Sequence, residues 1–237
     1  MARNIDKRFF HGFELTADFE SGEAKANIET NNRGQLYYAL TNKDNARMPT
    51  NVLITDATVI FDARDRDNRI ASKYSSADSL EVCYECTGEL GDVVRAIDKS
   101  FKDLYKDNDS VNAQSLIKKT SNGIEFVKFR LRFKKNELKF CSMWEDPTDP
   151  VQILADEHDA HEYFQRGMKH CLSFGIMRVN LFQDRAILSL DLKKVLTANT
   201  PLEQHETDMA IDELNDMCIS MLKLNRSVST QVLDKPK

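Results

Sequence analysis

Residues 125 to 135 read Glu-Phe-Val-Lys-Phe-Arg-Leu-Arg-Phe-Lys-Lys. Val127, Phe129, Leu131 and Phe133 share one parity, and Lys128, Arg130, Arg132 and Lys134 share the other. That is the period-2 signature of a strand with one buried and one wet face. Same-face side chains on a strand stand roughly 6.6 to 6.8 Å apart, so four cations are held in file. Like charges so placed repel, and mixed signs would serve solubility better, so the file points to an anionic partner. Phosphates of an extended single strand repeat at a comparable spacing, on the order of 6 to 7 Å.

Working outward, Lys135-Asn136 reads as the turn of a β-hairpin over residues 124 to 144, and the prolines of EDPTDP (145–150) end it. Upstream, Phe13, Leu15, Ala17 and Phe19 alternate with polar residues and predict a strand over Phe13 to Glu20. Ser21-Gly22 follows as a turn, Ala24, Ala26 and Ile28 mark a second strand, and Asn31-Asn32-Arg33-Gly34 turns into an aromatic strand at Leu36, Tyr37 and Tyr38. Residues 42 to 51 read as a polar loop, Val52 to Asp62 as a central strand and 62 to 69 as a solvated loop. After Thr87 as N-cap, Leu90, Val93, Val94, Ile97, Phe101, Leu104 and Tyr105 recur at three and four residues, the stripe of an amphipathic helix on a sheet. Residues 106 to 123 form a polar connection with one helical turn, and 153 to 171 read as helix. SFGIMRVNLF and RAILSLDLKKVL are two strands joined through Gln183-Asp184. Thr200-Pro201-Leu202-Glu203 opens a C-terminal helix with a capping box and an N1 proline.

The reading is a mostly β chain with α elements (α+β): one β-rich domain over 1–200 with helical insertions near 87–119 and 153–171, a helix over 201–224 and a mobile tail over 225–237. At 237 residues, 41% hydrophobic and 30% charged, the composition excludes wholesale disorder. No run approaches the roughly 18 to 20 apolar residues of a membrane helix, and MARNIDKRFF lacks a secretory apolar region, so the expectation is a soluble protein of the cytoplasm or nucleus with no membrane partner.

The net charge of −5 seems to argue against nucleic acid. Residues 118 to 139, however, hold eight cations (Lys118, Lys119, Lys128, Arg130, Arg132, Lys134, Lys135 and Lys139) and two anions, a local +6 that leaves −11 elsewhere. Much of that acidity sits in 145 to 162, with seven acids, and 203 to 216, with six; neither block has Lys or Arg. Either an acidic helix, in the same chain or a neighbouring copy, covers the basic strand, as in a viral structural or assembly protein, or the strand is a groove for single-stranded nucleic acid. For base stacking the candidates are Tyr37, Tyr38, Tyr74, Tyr84, Phe140 and Trp144, though the sheet core competes for each.

Catalytic signals are sparse, and no catalytic residue, metal ligand or cofactor is assigned. Cys83 and Cys86 form a C-x-x-C without the second pair of a zinc site, and all five cysteines, with Cys141, Cys171 and Cys218, are expected to be reduced thiols. A metal or redox site using that pair and a histidine is a third, minor reading. His158, His161 and Glu162 do not form H-E-x-x-H, and His170 has no evident partner; exposed histidines are the expectation.

The order of these elements resembles phage and viral single-stranded DNA-binding proteins of the OB-fold: a meander, an amphipathic helix, a long insertion, a basic-aromatic strand such as EFVKFRLRFKK, and closing strands such as FGIMRVNLF and RAILSLDLKKVL. The resemblance covers about residues 8 to 198. It implies an antiparallel, partly open OB-like barrel and sequence-independent binding of single strands, DNA rather than RNA, in replication or recombination. Lys128, Arg130, Arg132 and Lys134 would then line the groove. Such proteins often end in an acidic tail that contacts replication proteins. This chain ends in Asp-Lys-Pro-Lys, so a replication partner falls to the acidic segment 203–216, and self-association stays open.

Overall fold

The structure is a computed structural model and describes residues 10–61, 79–134, 137–139, 142–144 and 163–197. Among these are two helices and thirteen strands, and the strands form one connected sheet that does not close on itself. In chain order they are β1 (Phe10–His11), α1 (Gly12–Glu20), β2 (Ala24–Thr30), β3 (Leu36–Asn42), β4 (Arg47–Met48), β5 (Asn51–Thr58), β6 (Ser79–Glu85) and α2 (Gly88–Asp103). There follow β7 (Asn112–Ala113), β8 (Ile117–Lys119), β9 (Glu125–Lys134), β10 (Glu137–Lys139), β11 (Ser142–Trp144), β12 (Lys169–Phe182) and β13 (Arg185–Thr197).

The central path runs β1–β5–β12–β13–β9, with β6 antiparallel along the other edge of β9. β9 and β13 run parallel, meeting at Arg130 and Asp191. A single bridge, Val59 to Tyr84, leads from the end of β5 back to β6. β12 is long enough to serve two neighbours: its first half pairs with β5, and beyond irregularities at Ser173/Phe174 and Ile176/Val179 it pairs with β3. Such irregularities bend a strand and let one element turn a corner. The core is filled from β5, β9, β12 and β13 by Val52, Ile54, Val127, Phe129, Leu131, Phe174, Leu190 and Val195, all buried. α2 lays Leu90, Val93, Val94, Ile97 and Phe101 against it, the stripe its periodicity predicts, from Thr87 at the N-cap.

Several expectations change. Phe13 to Glu20 is not a strand but the body of α1. Glu14, Leu15, Ala17 and Glu20 are good helix formers, and nine residues can satisfy both periods. Packing decides: Gly12, Leu15 and Asp18 turn inward at helical spacing while Phe13 is 62% exposed, and Glu89 of α2 accepts a hydrogen bond from the Phe13 N–H at 3.1 Å. A Cβ on Gly12 would lie 2.6 Å from Ile54 Cδ1 and 2.8 Å from Glu89 Cγ, so any larger residue there would have to displace these side chains from the close approach of α1 to the sheet. The polar loop before β5 contains β4, and the connection after α2 contains β7 and β8. The last three residues of the helix expected over 153–171 belong to β12, with 151–162 outside the described residues. The hairpin after β9 is short: β10 pairs with β9, but β11 crosses to pair in parallel with β13. The C-terminal helix and tail, the loop 62–69 and both acidic blocks lie outside the described residues. Among the described residues, no helix is long and apolar enough to cross a membrane.

Candidate nucleic-acid interface

β9 is built as its alternation predicts. Val127, Phe129 and Leu131 are buried, while Lys128 is half-exposed and Arg130 exposed on the opposite face. The antiparallel register adds Cys83 and Glu81 from β6 to that outer face, opposite Lys128 and Arg130, and adds Lys118 from β8, opposite Phe126. Asp191 stands level with Arg130 on the other side. The face is therefore a cationic row interleaved with two acids.

Lys128 donates to Glu81 Oε2 at 2.9 Å, an ion pair whose acid is only 12% exposed. The two lysines of β8 part company. Lys118 points with the outer face, whereas Lys119 pairs with Glu125 at 3.2 Å, on the side where Arg95 of α2 also reaches Glu125 at 3.1 Å. Those two cations hold the Glu125 carboxyl below its ordinary range. Arg132 stands in register with Ser79 and Lys139, and Lys134 with Glu137. Lys135 lies outside the described residues.

The aromatic candidates divide sharply. Tyr38 and Tyr84 are core residues, fully buried, and cannot stack a base. Tyr38 bonds Ser100 and has its hydroxyl pKa pushed up by desolvation, and Tyr84 bonds His170 Nδ1 at 2.7 Å. Both rings belong to apolar runs that the core claims first. Tyr37 is half-buried; its hydroxyl bonds Glu29, and the Arg47 guanidinium lies 5.4 Å from its ring centroid while donating to Glu29 at 2.7 Å. Tyr74 and Phe140 lie outside the described residues, and Trp144 enters only through the backbone pairing of β11 with Leu196.

The structure supplies rings that sequence reasoning missed. Phe126 precedes the cations in phase with them, a signal the alternation already contained. On the outer face it is itself buried with Ile60 and Cys83 and supports Phe61, edge-on at 5.2 Å and 42% exposed, the one of the two rings open to a base. A second group, Leu181, Phe182 and Ile187, is exposed at the far end of β12 and β13 beside Arg178 and Arg185. Its exposure follows from where the neighbouring strands stop, which no local pattern records.

Cys83 and Cys86 are buried free thiols, pushed up to about 11 and about 12 chiefly by desolvation, and so far from nucleophilic. The expectation of reduced thiols throughout is corrected at Cys171, which is disulfide-bonded. His170, expected to be exposed, is instead buried on β12 between Tyr84 and Phe164, and burial lowers its pKa to about 4. Among the described residues, no group of His, Cys, Asp and Glu is arranged to hold a metal ion.

No family model matches the chain, and no curated protein does. Among solved structures it is similar to the single-stranded DNA-binding protein from bacteriophage Enc34 in complex with ssDNA, at 8% identity and a TM-score of 0.42, over 70% of this chain and 93% of that one. The same phage protein without DNA matches at 9% identity and 0.42, over 76% and 94%, and its C-terminal truncation at 9% and 0.40, over 78% and 99%. These neighbours are phage single-stranded DNA-binding proteins, and the likeness is a distant one.

Proposed function

We propose that this chain is a non-enzymatic, sequence-independent single-stranded nucleic-acid-binding protein, acting on DNA in replication or recombination as its sequence resemblance implies. In this reading β5, β6, β9, β12 and β13 make an OB-like, partly open barrel. In a fold of that kind the face of the second and third strands receives oligonucleotides. The carrying observation is that β6, β8 and β9 bring Lys118, Lys128 and Arg130 onto one outer face beside the exposed ring of Phe61, which packs edge-on against the buried Phe126. Cations track a phosphate backbone, and rings stack any base, so affinity comes without sequence preference. The acids on the face weaken it without cancelling it: Glu81 is held by Lys128, and Arg130 stays exposed.

Titration of a fluorescent dT20 with wild type and with a Lys128/Arg130/Arg132/Lys134 quadruple glutamine variant tests this. Wild-type affinity should fall steeply with salt, and the variant should bind more weakly with a slope shallower by up to about 3, from roughly 0.7 per phosphate contact on single strands. Equal, weak, salt-insensitive binding by both proteins sinks the proposal.

A further inference from the structure

Among the described residues, β2 is hydrogen-bonded along one edge only, to β3. The tight turn that follows sets the phase of that ladder: the Asn31 N–H donates to Gln35 O at 3.0 Å, and the Gly34 N–H to Asn31 O at 2.9 Å. Bonded and non-bonded pairs alternate in an antiparallel ladder, so Lys25, Asn27 and Glu29 aim their backbone groups at Thr41, Ala39 and Tyr37 of β3. Ala24, Ala26, Ile28 and Thr30 therefore turn their backbone donors and acceptors outward along the open edge. Such a row is a template for another strand, and the side chains decide which one. Lys25 is exposed and has no ion-pair partner among the described residues. Glu29 is 39% exposed and accepts from both the Tyr37 hydroxyl and the Arg47 guanidinium on Oε2, while no described donor reaches Oε1.

We infer that β2 pairs antiparallel with β2 of a second copy of this chain, about a twofold axis at Asn27. That register sets Lys25 opposite the partner's Glu29, and Glu29 opposite the partner's Lys25, at non-hydrogen-bonded positions where side chains stand closest. On the other face Ala26 meets the partner's Ile28. The outward backbone groups of the even-numbered residues then find partners, up to about eight bonds across the axis. A twofold interface must complement itself, and a strand with opposite charges placed symmetrically about its centre does so. A one-residue slip mismatches the backbone phase, and a two-residue slip parts lysine from glutamate. Lysine on an edge strand ordinarily discourages pairing because its charge is left unmatched; against a second copy it is matched. This surface lies apart from the cationic face of β9 and does not depend on the nucleic-acid reading.

The test is sedimentation of full-length protein, free of nucleic acid, over a concentration series. Wild type should show a reversible monomer–dimer equilibrium. Lys25→Glu sets acid against acid and Glu29→Lys sets base against base, so each variant alone should dimerise roughly 10- to 100-fold more weakly. Mixed in equal amounts, the two variants regain both opposite-charge pairs, and dimers should return. Ala26→Pro removes a donor from the open edge, leaves the β2–β3 ladder intact and should also give monomers. It keeps the test decisive if Glu29→Lys, having lost Arg47 as its partner, fails to fold. Wild type that stays monomeric at every concentration overturns the inference. So do dimers that persist in both Lys25→Glu and Ala26→Pro, or folded charge variants that stay monomeric when mixed.

Discussion

The two faces of β9 carry different burdens. The inner face joins an aromatic cluster: Phe129 lies 4.9 Å from Phe174 and edge-on to Tyr84 at 5.7 Å, and Tyr84 in turn contacts His170. The outer face holds Lys128 and Arg130 at the surface, with Glu81 and the buried Asp191 flanking Arg130 on the two neighbouring strands. One face is bound to its own molecule and the other is left partly unspent. Stability and ligand binding should therefore separate along a single strand, residue by residue.

The largest expected effect breaks the inner face. Phe129→Ala should cost about 3 to 5 kcal/mol in denaturant unfolding, because the ring is fully buried and its site cannot collapse around the gap. Arg130→Gln, one residue away, should change stability by no more than about 0.5 kcal/mol while reducing the salt slope of oligonucleotide binding by roughly 0.7. Comparable losses of stability from both variants would show that the faces are not separate.

Protonation separates the same two faces. His170 titrates near 4 in the folded state because burial disfavours its charged form, against an ordinary value of 6.5 when unfolded. Its contribution is intact above pH 6.5, is lost as pH falls from 6.5 toward 4 while the unfolded chain takes up the proton, and changes no further below. The loss should be about 2 kcal/mol between pH 7 and pH 5 and absent from His170→Gln, as unfolding at those two pH values would reveal. Binding across that range should not follow the His170 titration, since the imidazole is enclosed between Tyr84 and Phe164, away from the outer face of β9.

The scaffold that carries Lys118 tests the outer face from behind. Asp98 of α2 is buried and accepts from Leu116 N at 2.6 Å, Ser115 Oγ at 3.0 Å and Lys102 Nζ at 2.6 Å, so it ties the β7–β8 segment to the helix. Asp98→Ala should cost about 2 to 3 kcal/mol. Limited proteolysis should then cut within 106–116 sooner than in wild type, and oligonucleotide affinity should drop with Lys118 displaced.

Much of this was legible beforehand, for identifiable reasons. β2, β3, β12 and β13 announce themselves by alternation bounded by turn residues, and three of those residues do have positive φ, Gly22 and Gly34 at 73° and Gln183 at 55°. α1 was not legible, because its deciding contacts with Ile54 and Glu89 come from 42 and 77 residues downstream of Gly12. The inner and outer sets of β9 were plain through Leu131, but the acids that answer the cations sit on β6 and β13, and only the register reveals them. Tyr38 and Tyr84 failed as stacking candidates because polar-tipped rings fill cores as readily as they bind ligands.

The smallest effect is the most discriminating. Glu81 competes with phosphate for Lys128, and its side chain is more enclosed than the lysine's, at 12% against 32% exposed. A partly exposed pair of this kind is worth about 0.2 to 1 kcal/mol. Glu81→Gln should free the ammonium and raise oligonucleotide affinity by up to about fivefold, with the salt slope steeper by roughly 0.7. If the substitution weakens binding instead, the carboxylate is holding Lys128 in the pose that meets phosphate. The outer face would then depend on its own internal contacts as the inner face does, and the contrast between the two would narrow to burial alone.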